Sequence, residues 1–376
     1  VAKRGKVALD VSPQATAEFV IPVTVTVGKP GVEYFVHFSV VTRQAEPLIP
    51  IGHEIAQEQF RLPLETEKDS YEASGKALGW KAENGKVVVS SSNVYFELDK
   101  ATGMVTSYKV NGTEFFDKAF GVQPNFWRAP NDNDYGNSNP KRLQIWKESS
   151  RDFKVSDTAV REEGETVLMS VTYDLPAGNQ YLITYRIYRD GVVNVNVKFT
   201  QTDREAEKTE VLEDTNLATF TPGKKVKKKD VLEVPRIGVR FRIPHVMNRV
   251  EYFGRGPVEN YVDRNAGSMV GRYKTSVEEM YVNYVRPQEN GHRTDTRWVS
   301  FTNTVGRGLL VLAEKTIGFN ALQNTVEDFD SEESSHPYQW RNRSPKEVAG
   351  KNEAEAKNVL RRMTHVNDIT PRDFVE

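Results

Sequence analysis

The sequence predicts an all-β protein of antiparallel sheets in two unequal parts. Three observations carry that expectation. Short runs rich in valine, isoleucine, threonine and aromatic residues recur along the chain. Turn residues separate them, as at Asn111-Gly112, Arg189-Asp-Gly191 and Thr221-Pro-Gly223. No regular alternation of strand with long amphipathic helix is present, which disfavours a parallel α/β sheet. A length of 376 residues suits two or three domains.

Taken in order, the chain starts at Val1 with no targeting pattern and runs straight into strand-like sequence. Thr370–Glu376 likewise enters a new strand as the sequence stops, so the chain reads as a piece of a longer one. Glu18–Val27 and Val32–Val41 predict a hairpin through Gly28-Lys-Pro-Gly31, and Gly52–Arg61 a third strand with Ile55, Gln57 and Gln59 on one face. Residues 1–66 are therefore expected to form most of a small β-sandwich. The polar stretch Glu65–Gly79 marks a linker, placed at 67–84. From 85 to 376 one large antiparallel domain is expected, with strands at Val87–Leu98, Val105–Val110, Thr166–Asp174, Tyr181–Tyr188, Val192–Thr200, Val239–Ile243, Arg249–Phe253, Trp298–Thr302 and Gly308–Glu314. The best helix candidate is Pro345–Met363, capped by Ser344.

Composition limits the function classes. Fifty-one Lys+Arg against 52 Asp+Glu give a formal charge of -1, so nothing global points to nucleic acid or an anionic surface as partner. Apolar runs fall short of the roughly 18 residues a membrane-spanning helix needs, so no membrane partner is expected. With no cysteine, disulfides, thiolate metal sites and cysteine nucleophiles are impossible, and the compartment stays open between cytoplasm and periplasm.

Three polar segments stand out. Arg128-Ala-Pro-Asn-Asp-Asn-Asp-Tyr-Gly136 has four consecutive Asx residues, which disfavour both helix and strand because their side chains bond nearby amides. Its spacing admits an Asx-rich turn or a loop that hydrogen-bonds a sugar or a cation. In Gly254-Arg-Gly-Pro-Val-Glu-Asn-Tyr-Val-Asp-Arg264 the residues Glu259, Asp263 and Arg264 suit an ion-pair network or a pocket wall. Tyr284-Val-Arg-Pro-Gln-Glu-Asn-Gly-His-Arg293 packs amide, acid, imidazole and guanidinium, with Glu289, Asn290, His292 and Arg293 at its end, into ten residues. The basic run Lys224–Lys229 reads as a solvated loop or edge protection. No G-x-S-x-G elbow, H-E-x-x-H, phosphate loop or dinucleotide fingerprint is present.

In this order the three segments resemble the C-terminal domain of β-galactosidases of glycoside hydrolase family 2, and Gly52-His-Glu-Ile-Ala-Gln-Glu-Gln-Phe60 resembles the end of the immunoglobulin-like domain before it. The resemblance covers nearly the whole chain. It implies a partial immunoglobulin-like β-sandwich followed by a large galactose-mutarotase-like antiparallel β super-sandwich, with strands missing at both ends. It also implies that the two catalytic glutamates lie on a (β/α)₈ barrel outside this chain, so no residue here inherits a catalytic role. Asn131, Asp132, Asn133, Asp134, Gly136 and Asn137 fall by position at the active-site entrance, where a mobile loop starts in the family. Arg128, Gly254, Glu259, Asn260, Asp263, Arg264, Glu289, Asn290 and Arg293 carry the structural motifs. A sugar-stacking tryptophan is expected beyond Glu376. Magnesium and sodium belong to the full-length parent, with ligands outside this chain, and so do β-galactoside substrates such as lactose and a homo-oligomeric state. This fragment alone is expected to be inactive. A stand-alone carbohydrate-binding module is the alternative, and an aldose epimerase using His292 and Glu289 is suggested by fold analogy alone.

Overall fold

A computed structural model describes residues 3–21, 28–64, 71–201, 233–330, 369 and 371–376. Contacts divide the chain into two compact units, Val1–Tyr71 and Glu72–Glu376.

In the first unit β1 (Phe35–Val41) pairs antiparallel with β2 (Glu54–Arg61). Alternation puts Val36, Phe38 and Val40 on one face with Phe60, and the rings of Phe38 and Phe60 meet edge-on at 6.0 Å. The other face of β2 carries Ile55, Gln57 and Gln59, as the alternation predicts. The first strand of the expected hairpin falls mostly outside the described residues. Residues 22–27 lie outside the described residues, Glu18–Ile21 has no regular structure, and β1 takes β2 as its partner.

The second unit begins with a five-stranded meander: β3 (Gly79–Glu83), β4 (Lys86–Ser90), β5 (Val94–Asp99), β6 (Val105–Val110) and β7 (Thr113–Glu114). After β8 (Gln123–Asn125) come three short helices, α1 (Asp132–Gly136), α2 (Asn139–Arg142) and α3 (Gln144–Ser149). A second meander follows, in the order β12-β11-β10-β9, from β9 (Lys154–Glu163), β10 (Thr166–Asp174), β11 (Gln180–Ile187) and β12 (Val193–Thr200). Beyond it lie β13 (Gly238–Arg240), which pairs with β8, and β14 (Ile243–Pro244). A four-stranded sheet in the order β16-β15-β17-β18 is built from β15 (Arg249–Gly256), β16 (Met269–Ser276), β17 (Arg293–Thr302) and β18 (Gly308–Phe319), with α4 (Val277–Met280) between β16 and β17. Last come α5 (Val326–Phe329) and β19 (Phe374–Val375), which pairs with β14. Among the described residues every strand pair is antiparallel and the helices are few and short, so the fold is all-β.

Period-two patterning explains the layers. On β5 Val94, Phe96 and Leu98 are buried while Tyr95, Glu97 and Asp99 face outward, and on β11 Tyr181, Ile183, Tyr185 and Ile187 are buried. The inner faces of the two meanders share one apolar core, closed by Phe126, Trp127 and Trp146. Phe96 meets Tyr185 at 5.4 Å, and the Tyr173 hydroxyl donates to the Gly103 carbonyl at 2.7 Å, so the two sheets form a sandwich. On the outer face Glu97 accepts from Lys86 at 2.7 Å and from Tyr95 and Thr106. Lys86 first, then Tyr95, pull its carboxyl down to about 2. A second core gathers Val250, Tyr252, Val299 and Phe301 of the four-stranded sheet with Val277, Met280 and Phe329 of the helices.

Several expectations change in detail. Val87–Leu98 splits into β4 and β5 because Ser91 turns the chain, its hydroxyl accepting from the Val94 amide at 3.3 Å. Strand Trp298–Thr302 extends back to Arg293, and Gly308–Glu314 runs on to Phe319. Strands β9 and β16 were not expected. The first is a charged edge strand, and charge on an edge protects it while hiding its period. Pro345–Met363 and Lys224–Lys229 lie outside the described residues.

Candidate functional site

The segment after β8 folds as a helical turn, which corrects the expectation that its Asx run disfavours helix. Asn131 is the N-cap, and its Oδ1 accepts from the Asp134 amide at 3.0 Å. The Asp134 carboxylate accepts from the Asn131 amide at 3.0 Å, completing a capping box. Local side-chain bonding thus starts a helix here instead of replacing one. Asp134 is buried and also takes both terminal nitrogens of Arg128, at 2.7 and 2.9 Å, and the Asn139 amide at 2.9 Å. Asn131 is half-buried, whereas Asp132, Asn133, Gly136 and Asn137 are exposed. Asp132 pairs with Arg286 at 2.8 Å, which ties this turn to the third polar segment.

The second segment is the end of β15 and the turn after it. Gly254 faces Thr296 of β17 so closely that an added Cβ would lie 2.5 Å from its Oγ1 and 2.9 Å from its Cα. Gly254→Ala should therefore destabilise the chain by about 1–3 kcal/mol through overpacking. Urea unfolding checks this, and an unchanged midpoint would mean that the two strands separate freely at that point. Asn260 is fully buried and uses its whole side chain. It donates to the carbonyls of Arg255 and Val258 at 3.1 and 3.0 Å and accepts from the amide and hydroxyl of Thr294. Glu259 accepts from Arg264 at 2.7 Å, from the Tyr284 hydroxyl and from the Gly291 amide at 2.8 Å. Hydrogen bonds that Arg264 donates to Tyr284 and Glu259 raise its guanidinium, though its side chain is largely exposed. Asp263 is exposed at the tip of the turn bridged by Tyr261 and Arg264.

The third segment forms a buried network. Glu289 accepts from Arg236 and from the Asn320 amide at 3.0 Å. Asn320 also donates to the Asn290 carbonyl at 2.7 Å, and its Oδ1 lies 2.8 Å from His292 Nδ1. The His292 ring stacks on Tyr261 with centroids 5.3 Å apart. Arg293 is buried and donates to the Tyr252 hydroxyl and to the carbonyls of Gly291 and His292. Burial, then the charge of Arg236, holds His292 below its ordinary value of 6.5. Burial also raises the Tyr261 phenol, helped by Glu289 and Glu259. Its hydroxyl and Asn290 Oδ1 are buried without a partner among the described residues.

The lowered His292 value has a signed consequence. The unfolded chain takes up the proton first, so His292 favours the fold fully above pH 6.5 and progressively less as pH falls below it. Compared with His292→Gln, the native chain should lose melting temperature faster as pH drops from 7 toward 5 (about one unit or more below an unperturbed histidine). Parallel curves for the two proteins would remove His292 as the cause.

The three segments meet. Glu259 joins the second to the third, and Asp132–Arg286 joins the first to the third, supported by the Glu289 amide on the Ala129 carbonyl at 3.3 Å. Arg236 and Asn320 complete the cluster and were not singled out from sequence, whereas Tyr261, Tyr284 and Arg286 lie within the second and third segments. Nothing local marks Arg236 or Asn320. Among the described residues no group of three or more His, Asp or Glu is placed to hold a metal ion.

The sequence matches the family described as "Beta galactosidase small chain" over residues 90–351, and "Beta-galactosidase, domain 4" over residues 1–63. The chain belongs to the β-galactosidase small-chain family. All three polar segments fall within the longer match. Similar proteins include the β-galactosidase of Priestia megaterium, 32% identical over 76% of this chain and 25% of that protein. Those of Streptococcus thermophilus, at 30% identity, and Vibrio cholerae, at 26%, cover 88% and 78% of it. The chain spans 25% to 29% of the length of these three relatives.

Proposed function

We propose that this chain is the C-terminal accessory portion of a retaining β-galactosidase that hydrolyses terminal non-reducing β-D-galactose residues, with Asn131–Asn137 at the entrance to a catalytic barrel elsewhere in a longer polypeptide. The observation that carries this reading is the convergence of the three polar segments through Asp132–Arg286 and through Glu259 on Gly291. That convergence gives the exposed turn a rigid footing, which a wall of a sugar site needs.

Retaining hydrolysis requires two carboxylates about 5–5.5 Å apart that reach the glycosidic bond. The buried carboxylates here are spent otherwise. Asp134 is held by Arg128, Glu259 by Arg264 and Tyr284, and Glu289 by Arg236 and Asn320. Such groups fasten backbone and position neighbours. Asn133 and Asn137, both exposed, suit hydrogen bonds to sugar hydroxyls, and the wall orients substrate and excludes water. Magnesium and sodium are assigned to residues outside this chain, in a homo-oligomeric enzyme.

Hydrolysis of a chromogenic β-galactoside by this chain and by the longer polypeptide is the test. Turnover by the longer polypeptide alone is expected. Turnover by the 376-residue chain itself would overturn the accessory role, and an inactive longer polypeptide would overturn the galactosidase assignment.

A further inference from the structure

We propose that the outward face of the sheet β16-β15-β17-β18 is a docking surface for another part of the same longer polypeptide, one that is apolar at its centre and acidic at its rim. The inference rests on the reading above, that this chain is one portion of a larger protein, and names the surface through which the portion is held.

Register defines the face. One row across the four strands is Leu312, Trp298, Phe253 and Arg272, and the next is Leu310, Ser300, Glu251 and Lys274. The opposite face carries Val299 and Tyr252 into the core, so these two rows point away from it. Leu312 is 69% exposed and Leu310 55%, on a twelve-residue strand at the edge of its sheet. A long edge strand with leucines outward is a template for unwanted pairing unless something covers it. The aromatic residues beside them are partly shielded by cations: Arg272 lies 5.7 Å from the Trp298 ring and Arg297 5.5 Å from the Phe253 ring. Aromatic and arginine side chains at the centre of a face are the residue types that dominate interface energetics, and the leucines beside them add exposed apolar area.

Charge and chain length choose the occupant. Arg249, Arg272, Lys274 and Arg297 outnumber the carboxylates of Glu251 and Glu314 around these rows. A second copy docking through a two-fold axis would place this basic rim against itself, which like-charge repulsion opposes. A partner with carboxylates at its rim meets no such repulsion. The match takes up only 25% to 29% of the length of the β-galactosidases that this chain resembles, so such a polypeptide has ample surface to supply that partner.

Hydroxyl-radical footprinting of Trp298, Phe253 and Leu312, read by mass spectrometry in this chain and in the longer polypeptide, tests the proposal. Modification should fall about tenfold or more in the longer polypeptide, as for side chains at the core of an interface. Leu312→Lys should restore modification of Trp298 there while leaving the melting of the 376-residue chain unchanged. Equal modification in the two proteins, with β-galactoside hydrolysis intact, would overturn the docking surface and leave the galactosidase reading standing. Protection in the 376-residue chain that grows with its concentration would overturn it in favour of a second copy. Protection in a longer polypeptide that hydrolyses no galactoside would uphold the surface and sink the function.

Discussion

Glu289→Ala should lower the stability of the chain by about 3 kcal/mol, because removing one partner of a buried pair leaves the other uncompensated. The Glu289 side chain is 6% exposed and that of Arg236 21%, so the arginine recovers part of the loss by turning toward water. Asn320 loses an acceptor too, and through it the substitution reaches His292 and the Asn290 carbonyl. Glu289→Gln keeps the shape and one acceptor oxygen, and should cost about 1–2 kcal/mol. Combined with Asn320→Ala, the Glu289→Ala effect should fall short of the sum of the two, since the residues share one network. Urea unfolding of the set decides this. A Glu289→Ala chain that unfolds at the native midpoint would show that the network holds nothing together.

The meeting of the polar segments follows from strand order. Antiparallel pairing of β15 with β17 puts the end of one beside the start of the other, so Glu259 and Asn260 face Gly291 and Thr294. Sequence pattern reached the strands on which this depends, because Arg249–Phe253 and Trp298–Thr302 alternate clearly. It did not reach the pairing, because register is set by contacts between distant segments and not by local preference. Asn131–Asp134 was legible as a cluster of side chains that bond backbone. Its outcome as a helix cap was hidden, since the same chemistry serves a turn or a helix start until the following residues are placed. Arg236 and Asn320 had no local signal at all. Each is a single polar residue between apolar neighbours, Pro235 and Ile237 or Phe319 and Ala321, and only the folded network shows what it holds.

Trp146→Ala should cost about 3–5 kcal/mol, the range for deleting a large aromatic from a core. Trp146 lies on α3, 1% exposed, with Phe126 and Phe199 at ring distances of 6.1 and 5.7 Å. It belongs to the core between the two meanders, although its helix continues the chain from the polar turn at Asn131. It therefore anchors the exposed segment Asp132–Asn137 to the sandwich, and its loss should loosen both. The indole nitrogen is buried without a partner among the described residues. Trp146→Phe accordingly forfeits no hydrogen bond and keeps most of the apolar area, so its cost should stay below about 1.5 kcal/mol. The pair of variants separates packing from polarity. If phenylalanine proved as damaging as alanine, the indole nitrogen would have to be satisfied in solution, and the anchor would be a polar one. If alanine were tolerated, the helices after β8 would be attached elsewhere. Amide hydrogen exchange across Asp132–Arg142 gives the second readout: faster exchange in Trp146→Ala and native rates in Trp146→Phe are expected.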